Sequence, residues 1–185
     1  AVSHYLPVAE EKVSLANFKL QQKKYFLVTI HRAENTDNKE VLSELLNALG
    51  KVYAEHKLPL VFPIHPRTRS KIASFGLAIP SGVELIEPVG FFEFLILEKN
   101  SRLVLTDSGG VQEESCIMKV PCVTLRRDTE RPETVQVGAN VLTDLTVASI
   151  VAKAREMLNK PNSWHNPFGD GSAAEKMIGV LEEAR

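Results

Sequence analysis

The amino-acid sequence predicts an α/β protein: a Rossmann-like open parallel sheet with helices on both faces. Three observations support this fold class. Short apolar segments recur along the chain with helical patterns between them, which is typical of strands paired in parallel through right-handed crossovers. These segments do not alternate between polar and apolar residues, as expected for strands covered on both faces. Polar clusters follow the strands, at the edge where sheets of this class bind ligands.

The first part of the chain is predicted to contain a linker helix, a strand and a capped helix. Residues 1–24 form the predicted linker helix, and the charged residues at 10–12 mark its solvated side. Residues 25–30 are β-branched and aromatic without alternation, which indicates a buried strand. Asp37 is predicted to begin the next helix, because Glu40 three residues later completes a capping box.

The rest of the chain repeats this strand-and-helix unit. Further strands are predicted at 60–64, 83–86, 103–106, 120–125 and 140–142. The whole chain, 1–185, is predicted to be one domain that ends in a turn-rich connection and a terminal helix at 172–185.

Length, composition and charge exclude several classes of protein. The chain has 185 residues, a formal net charge of −1 and 24% charged residues, so we expect no surface for nucleic acid or for membranes. The sequence has no apolar run of membrane-spanning length and no signal peptide, which favours a cytoplasmic protein. Cys116 and Cys122 lack partners at metal-binding spacing and are interpreted as buried structural residues.

Motifs for the common cofactors and hydrolytic centres are absent from the sequence. The chain has no GxGxxG, no GxxxxGKS/T and no GxSxG. It also lacks HExxH and CxxC, so its five histidines do not indicate a metal site. We therefore expect neither a metal nor a cofactor.

The polar clusters all follow predicted strands. They read HRAENTDN, HPRT, EPVGFF, DSGG and RRDTERPET. The carboxyl ends of parallel strands meet at one edge of a sheet. Fold geometry is therefore expected to bring His31, His65, Ser108 and Arg131 to one rim.

The DSGG segment predicts a helix N-terminus that binds phosphate. Gly109 and Gly110 leave backbone N–H groups unobstructed, and the helix dipole attracts an anion. The alternative is a capped helix without a ligand, with Asp107 or Ser108 as the cap. Glu114 shares a face with the turn, and its carboxylate suits the two hydroxyls of a ribose better than a phosphate.

Cationic and polar side chains near the rim are predicted to complete the site. The arginines after the fifth strand are Arg126, Arg127 and Arg131. Their alternative role is a surface ion-pair network, since glutamates at 130 and 133 flank the last of them. The segment that begins with His31 is richer in polar residues than a turn requires. Its other members are Arg32, Glu34 and Asn35.

Two histidines have alternative explanations. His31 is predicted to contact the ligand, but a helix-entry loop with a hydrogen-bonded histidine would show the same pattern. His65 precedes Pro66, so it is either a site residue or the residue before a proline-initiated helix.

These motifs together resemble the carboxyl-terminal half of the non-hydrolysing UDP-N-acetylglucosamine 2-epimerases. The resemblance runs from about Tyr25 to Gly171 and includes VTIHRAEN, FPIHPRT, DSGGVQEE, TERPET with the following GAN, and NPFGDG, in family order. It implies the glycosyltransferase-B fold, in which the active site lies between two Rossmann-like halves. This chain holds one half.

The resemblance implies a cofactor-free inversion at C2 that converts UDP-GlcNAc to UDP-ManNAc. UDP leaves by elimination, a 2-acetamidoglucal stays bound, and UDP adds back after the C2 proton is replaced on the other face. Ser108 and the two glycines would hold the diphosphate, and Glu114 the ribose hydroxyls. His31 and Arg131 would act in catalysis by stabilising the charge on the departing phosphate.

The resemblance also implies further roles. Phe94 is expected beside the uracil, and His65 at an interdomain site for a second UDP-GlcNAc. The other substrate-binding residues are expected to be Arg32, Glu34, Asn35 and Arg126. The carboxylates for C2 proton transfer belong to the amino-terminal half, on which the helix at 172–185 is expected to pack, and the full-length protein is expected to be a homodimer. Phe168 stands where the family often has Tyr.

Two other functions fit part of the pattern. A UDP-sugar glycosyltransferase half would share the phosphate-binding turn but has less reason to carry both HRAEN and TERPET. A module that only senses UDP-sugars would bind the same ligand without any chemistry.

Overall fold

The computed structural model describes residues 2–183 and shows a six-stranded parallel sheet between layers of helices. The strands are β1 (Phe26–Thr29), β2 (Leu60–Pro63), β3 (Val83–Ile86), β4 (Leu103–Thr106), β5 (Cys122–Thr124) and β6 (Asn140–Leu142). The helices are α1 (Val2–Lys12), α2 (Ala33–Thr36), α3 (Lys39–His56), α4 (Pro66–Ser74), α5 (Phe91–Asn100), α6 (Gly109–Ile117), α7 (Pro132–Gln136), α8 (Val147–Asn159) and α9 (Ala173–Glu183). The predicted fold class is confirmed.

The strand order is β3-β2-β1-β4-β5-β6, and neighbouring strands are parallel throughout. The order reverses between β1 and β4, which pair from Phe26 with Leu103 to Thr29 with Thr106. Open α/β sheets bind ligands beyond the carboxyl ends of the strands at such a reversal. The fold thus places a candidate site directly after β1 and β4.

Buried apolar residues cover both faces of the sheet. On one face Phe26 and Val28 of β1 pack in a cluster that includes buried residues of α3 and α8. On the other face Leu27 packs in a cluster with Leu97 of α5 and Val111 of α6. This double burial explains why the strand sequences show no alternation.

The predicted linker helix is shorter than expected and is partly buried. α1 ends at Lys12, and a 3-10 helix follows at Leu15–Phe18, so a single helix over 1–24 is wrong. The side chain of Ser14 accepts a hydrogen bond from the backbone N–H of Ala16 and begins this new helix. Ala9 of α1 is fully buried in a cluster with residues of α5, so α1 is part of the fold.

The predicted helix cap at Asp37 is also wrong. Asn38 caps α3, because its side-chain oxygen accepts a hydrogen bond from the backbone N–H of Val41 at 3.0 Å. Asp37 instead ends α2 and forms ion pairs with Arg67 and Lys71 of α4. Asp37 and Asn38 both have side chains that can cap a helix. Because Arg67 and Lys71 of α4 lie beside Asp37, its carboxylate pairs with them and Asn38 forms the cap.

α9 has no buried residue in the described part of the chain. Its large apolar side chains are 55–69% exposed, and they belong to Met177, Ile178, Val180 and Leu181. The predicted end of this helix at Arg185 lies outside the described residues. None of the helices within 2–183 combines the length and the apolar character that crossing a membrane requires.

Candidate functional site

A cavity of about 260 Å³ opens at the carboxyl ends of β1 and β4, where the strand order reverses. We call it the β1–β4 cleft. Three of the predicted site residues line it: His31, His65 and Ser108. Its apolar lining includes Pro88, Val89 and Val111. Four of the five predicted polar clusters thus contribute residues to one cavity, and the arginine loop RRDTERPET does not line it.

Asp107 is fully buried and organises the loop after β1. Its carboxylate accepts hydrogen bonds from the backbone N–H groups of His31 at 3.0 Å and Arg32 at 2.9 Å, and from Asn35 Nδ2 at 3.1 Å. It also lies 3.1 Å from His31 Nδ1. The alternative in which Asp107 caps α6 is therefore wrong, because its oxygens are directed across the sheet.

His31 is held in one orientation by this carboxylate. The hydrogen bond that His31 donates to Asp107 raises the pKa of His31 above its usual value, and this effect outweighs burial, which lowers it. Because Nδ1 is engaged by Asp107, Nε2 is the ring atom that is left to meet a ligand. The side chain is 44% exposed and lines the β1–β4 cleft.

The N-terminus of α6 is open. Ser108 occupies the N-cap position but its side chain makes no capping hydrogen bond, which overturns the alternative of a serine-capped helix. The backbone N–H of Ser108 donates to Thr106 Oγ1 at 2.9 Å, and the first intrahelical bond runs from Gln112 N–H to Ser108 O at 3.3 Å. The N–H groups of the three intervening residues have no carbonyl partner within the helix.

Gly109 and Gly110 are not required by the fold. A Cβ atom added at Gly109 would lie 3.8 Å from Glu130 Oε2 and 3.9 Å from Arg131 Cζ, which are ordinary van der Waals distances. One added at Gly110 would lie 4.0 Å from Ser108 Oγ. Neither glycine has a positive φ angle. The absence of side chains here leaves room for a ligand that approaches the backbone N–H groups.

The guanidinium of Arg131 lies beside the opening of α6. Arg131 precedes α7, and its side chain forms an ion pair with Glu113 of α6 and donates from Nη1 to Glu130 O at 2.9 Å. The side chain is 36% exposed. Glu113 therefore holds the Arg131 guanidinium at the positive end of the α6 helix dipole. The guanidinium and the helix N-terminus together favour an anion there.

Arg126 is engaged by carboxylates. Its side chain is 7% exposed and lies within 3.1 Å of Glu34, 2.9 Å of Asp128 and 2.8 Å of Glu130. The hydrogen bonds and charge of Glu130 above all raise the pKa of Arg126, and the same pairing lowers that of Glu130 to about 2. Arg32 lies 3.6 Å from Glu130. Arg126 is therefore part of an ion-pair network, as the alternative predicted, and Arg131 forms a separate ion pair with Glu113.

Comparisons with known proteins show the family of the chain. The sequence profile of the UDP-N-acetylglucosamine 2-epimerase family matches residues 1–182. The chain belongs to the UDP-N-acetylglucosamine 2-epimerase family. It is 49% identical over 161 residues to the UDP-N-acetylglucosamine 2-epimerase of Methanocaldococcus jannaschii, covering 85% of this chain and 44% of that protein.

Other members of this epimerase family show how far the likeness extends. The chain is 45% identical over 158 residues to UDP-2,3-diacetamido-2,3-dideoxy-D-glucuronate 2-epimerase of Pseudomonas aeruginosa, covering 85% of the chain and 44% of that protein. The crystal structure of the M. jannaschii UDP-GlcNAc 2-epimerase in complex with UDP-GlcNAc and UDP superposes with a TM-score of 0.90 at 44% identity, over 98% of this chain and 52% of that one. The chain therefore spans about half the length of its relatives, as one half of a glycosyltransferase-B fold.

The remaining predicted site residues do not line the β1–β4 cleft, and Glu34, Asn35 and Arg126 line a separate pocket. Asn35 is 1% exposed and donates to Asp107 and to Leu125 O. Phe94 is partly buried and packs in the apolar cluster under α5 and α6. Glu114 is partly buried on α6. Asn35 and Phe94 thus have structural contacts, and their roles in ligand binding stay predictions.

His65 is the residue before a proline-initiated helix, and its role as a site residue stays a prediction. It caps α4, because its Nδ1 accepts a hydrogen bond from the backbone N–H of Arg67 at 3.2 Å. It also lines the β1–β4 cleft.

Two acidic residues that orient predicted site residues were not predicted from the sequence. Asp107 orients His31, and Glu113 orients Arg131. Each partner is distant in the sequence, 76 residues away for Asp107 and 18 for Glu113. The only available signal was the position of both carboxylates in the motif DSGGVQEE.

Proposed function

We propose that this chain is the UDP-binding half of an enzyme that interconverts UDP-GlcNAc and UDP-ManNAc by elimination and re-addition of UDP. The observation that carries the proposal is the open N-terminus of α6 at the reversal point of the sheet, with the Arg131 guanidinium beside it. Family membership and relatives solved with UDP-GlcNAc and UDP support it. We expect the reaction to need neither a metal nor a cofactor.

The diphosphate is proposed to bind at the N-terminus of α6. Ser108 Oγ and the N–H groups of Gly109 and Gly110 donate to it, and the helix dipole adds favourable potential. His31 and Arg131 supply positive charge to the oxygen on which charge develops as UDP departs. A raised His31 pKa helps, because a larger fraction of the ring is then cationic near neutral pH.

The nucleoside is proposed to lie between α6 and the segment after β3. Glu114 accepts hydrogen bonds from the two ribose hydroxyls, and Phe94 lies near the uracil. The walls formed by Pro88 and Val89 are apolar, as a base-binding surface requires. Arg32 and Glu34 act at the rim, while Asn35 and Arg126 contribute by holding the loops that carry the direct contacts.

The complete reaction is proposed to need the part of the protein that the relatives contain and this chain does not. The carboxylates for C2 proton transfer are assigned to that amino-terminal half, so this chain alone binds UDP without turnover. We propose that His65 faces a second UDP-GlcNAc between the halves, that the whole enzyme is a cytoplasmic homodimer, and that α9 packs on the amino-terminal half.

Binding is tested by isothermal titration calorimetry of the chain with UDP. Arg131→Ala and Glu114→Ala should each weaken binding, by roughly tenfold to a hundredfold for a lost hydrogen bond to a charged group. Arg127→Ala is the matched control, because Arg127 lies on the same loop but its side chain donates to Asp144 O at 3.4 Å. Unchanged UDP affinity in both folded variants would place the site elsewhere.

Catalysis is tested by joining the chain to the amino-terminal half of a relative. The joined protein should convert UDP-GlcNAc to UDP-ManNAc and exchange the C2 proton with solvent deuterium. UDP-2,3-diacetamido-2,3-dideoxy-D-glucuronate is assayed alongside, since the enzyme named for that sugar is 45% identical over 158 residues. A protein that binds these UDP-sugars and exchanges no C2 proton would be a sensing module.

A further inference from the structure

Glu98 is a buried carboxyl group that the proposed reaction does not use. It lies on α5 and is 0% exposed. It directly follows three buried apolar residues of the same helix, Leu95, Ile96 and Leu97. Among the described residues, no N–H or hydroxyl group donates a hydrogen bond to either carboxyl oxygen. An ionised carboxylate in this position would be deprived of both water and hydrogen-bond donors, so the neutral acid is strongly favoured.

The neighbour of this carboxyl group is Glu114, the proposed ribose ligand. α5 and α6 pack together through Leu97 and Val111 in one apolar cluster. Glu98 follows Leu97 directly, and Glu114 lies one helical turn after Val111, so the packing of the two helices brings these side chains to the same contact. Burial and then the charge of Glu114 raise the pKa of Glu98 well above its usual value. Burial and the charge of Glu113 raise the pKa of Glu114, whereas the hydrogen bond from Glu98 lowers it. The proton therefore belongs on Glu98, the more deeply buried of the two.

A neutral Glu98 next to an ionised Glu114 forms a carboxyl-to-carboxylate hydrogen bond. Such charge-assisted bonds are short and fix the orientation of the acceptor. One oxygen of Glu114 then accepts from Glu98, and the lone pairs that remain can accept from the two donors of a vicinal diol. Without this bond Glu114 would keep its rotational freedom and would lose some of it on binding.

We propose that Glu98 is a positioning residue, which donates a hydrogen bond to Glu114 and holds that carboxylate ready to receive the ribose hydroxyls. The inference rests on the proposed ribose-binding role of Glu114. A glutamate that served only the packing of α5 would affect all ligands of the site equally. A glutamate that positions Glu114 affects only ligands that carry the diol.

The experiment compares two variants with three ligands by calorimetry. Glu98→Leu removes the donor, and Glu98→Gln retains an N–H donor in a side chain of the same shape. The ligands are UDP, 2′,3′-dideoxy-UDP and inorganic pyrophosphate. Glu93→Gln is the control, since Glu93 is on the same helix as Glu98 but is not one of the groups that shift the pKa of Glu114.

Glu98→Leu is expected to weaken UDP binding about tenfold, the value for one hydrogen bond to a charged group. It should leave the affinities for 2′,3′-dideoxy-UDP and pyrophosphate within about twofold of the unmodified protein, and Glu98→Gln should restore most of the UDP affinity. An equal loss for all three ligands, or no loss for UDP, would overturn the positioning role. Failure of the unmodified chain to bind UDP would instead overturn the proposed function.

Infrared spectroscopy provides a second test that does not depend on Glu98→Leu being folded. The unmodified chain should show the carbonyl band of a neutral carboxylic acid at neutral pH, and Glu98→Gln should lack it. The band should shift on addition of UDP and not on addition of pyrophosphate. A spectrum without that band at neutral pH would contradict the proposal.

Discussion

At the scale of single residues, acidic side chains decide how the charged groups of the site are held. Asp107 organises the His31 loop, Glu113 holds Arg131, and Glu98 lies next to Glu114. Each of these acids lies in or beside the proposed binding residues, and none was predicted to contact a ligand. The chemistry at the rim therefore depends on a layer of acidic side chains below it.

The link between Asp107 and His31 gives a prediction about pKa. Asp107→Asn should lower the pKa of His31, because the hydrogen bond to Asp107 is the largest cause of its upward shift. A histidine whose pKa is raised on folding stabilises the protein most below its unfolded pKa, and this stabilisation is lost as pH rises through the folded pKa. The variant should therefore lose stability mainly at the acidic end of the range.

Nuclear magnetic resonance titration of the His31 ring measures this directly, and urea unfolding at two pH values measures its effect on stability. Asp144→Asn is the control, since the hydrogen-bond partners of Asp144 are Thr146 and Ser149 rather than His31. An unchanged His31 pKa in Asp107→Asn would contradict the role of Asp107 in orienting the ring.

The two glycines of α6 give a prediction that separates folding from binding. Gly109→Ala should leave the unfolding free energy unchanged or slightly higher, since the added methyl meets only ordinary contacts and alanine favours a helix. The same methyl should reduce UDP affinity, because it occupies the space through which a phosphate approaches the N–H groups. Calorimetry and thermal unfolding check the two halves of the prediction.

Gly179→Ala is the matched control, because that glycine is on α9 and an added Cβ would meet nothing within 4 Å. It should leave UDP affinity unchanged and raise the unfolding free energy slightly, since alanine replaces glycine in a helix interior. Full UDP affinity in folded Gly109→Ala would mean that the diphosphate does not approach this turn.

At the scale of elements, the strands were predictable and the helix boundaries less so. A strand covered on both faces is an unbroken apolar run, as in β4, which was predicted with its observed bounds. The edge strand β3, which is only partly buried, was also predicted with its observed bounds. The start of a helix depends on which of several nearby polar side chains accepts the capping hydrogen bond. Asp37 and Asn38 are both capable of it, and the choice is made by α4, which the local sequence does not contain.

The cap of α3 gives a stability prediction. Asn38→Ala should reduce the unfolding free energy by about 1 kcal/mol, because the N–H of Val41 loses its side-chain acceptor. Asp37→Ala removes exposed ion pairs and leaves the cap intact, so its effect should be smaller. Urea unfolding of both variants measures the difference. A larger loss of unfolding free energy in Asp37→Ala than in Asn38→Ala would support Asp37 as the cap, as the sequence predicted.

The same distinction applies to the candidate site. The strand ends, the glycine turn and the arginine loop could be placed at one rim from the sequence, because parallel topology alone gathers them. The pairings among them could not, since Asp107 with His31 and Arg126 with Glu34 join segments that are distant in the chain. Arg126 illustrates the difference, because nothing local showed that it would be buried among carboxylates.

At the scale of the whole molecule, α9 is the element that the rest of the fold does not cover. Its apolar residues Met177, Ile178, Val180 and Leu181 are exposed, whereas the other eight helices of the described chain contribute to clusters or have buried residues. The relatives are about twice as long as this chain, which supports the proposal that α9 packs on their other half.

Replacing Met177 and Leu181 by lysine should therefore change the unfolding free energy of this chain by no more than about 0.5 kcal/mol, as for exposed positions. In the protein joined to an amino-terminal half, the same double variant should be clearly destabilised. Thermal unfolding of both forms provides the measurement. A destabilised half-length chain would show that α9 packs within this domain.

The central claim is that a nucleoside diphosphate binds at the N-terminus of α6, at the reversal point of the sheet. The most direct measurement is a titration of the isotope-labelled chain with UDP, followed through its backbone amide resonances. We expect saturable shifts at Gly109, Gly110 and the loop that begins with His31. Shifts confined to other surfaces, or none at saturating UDP, would contradict the claim.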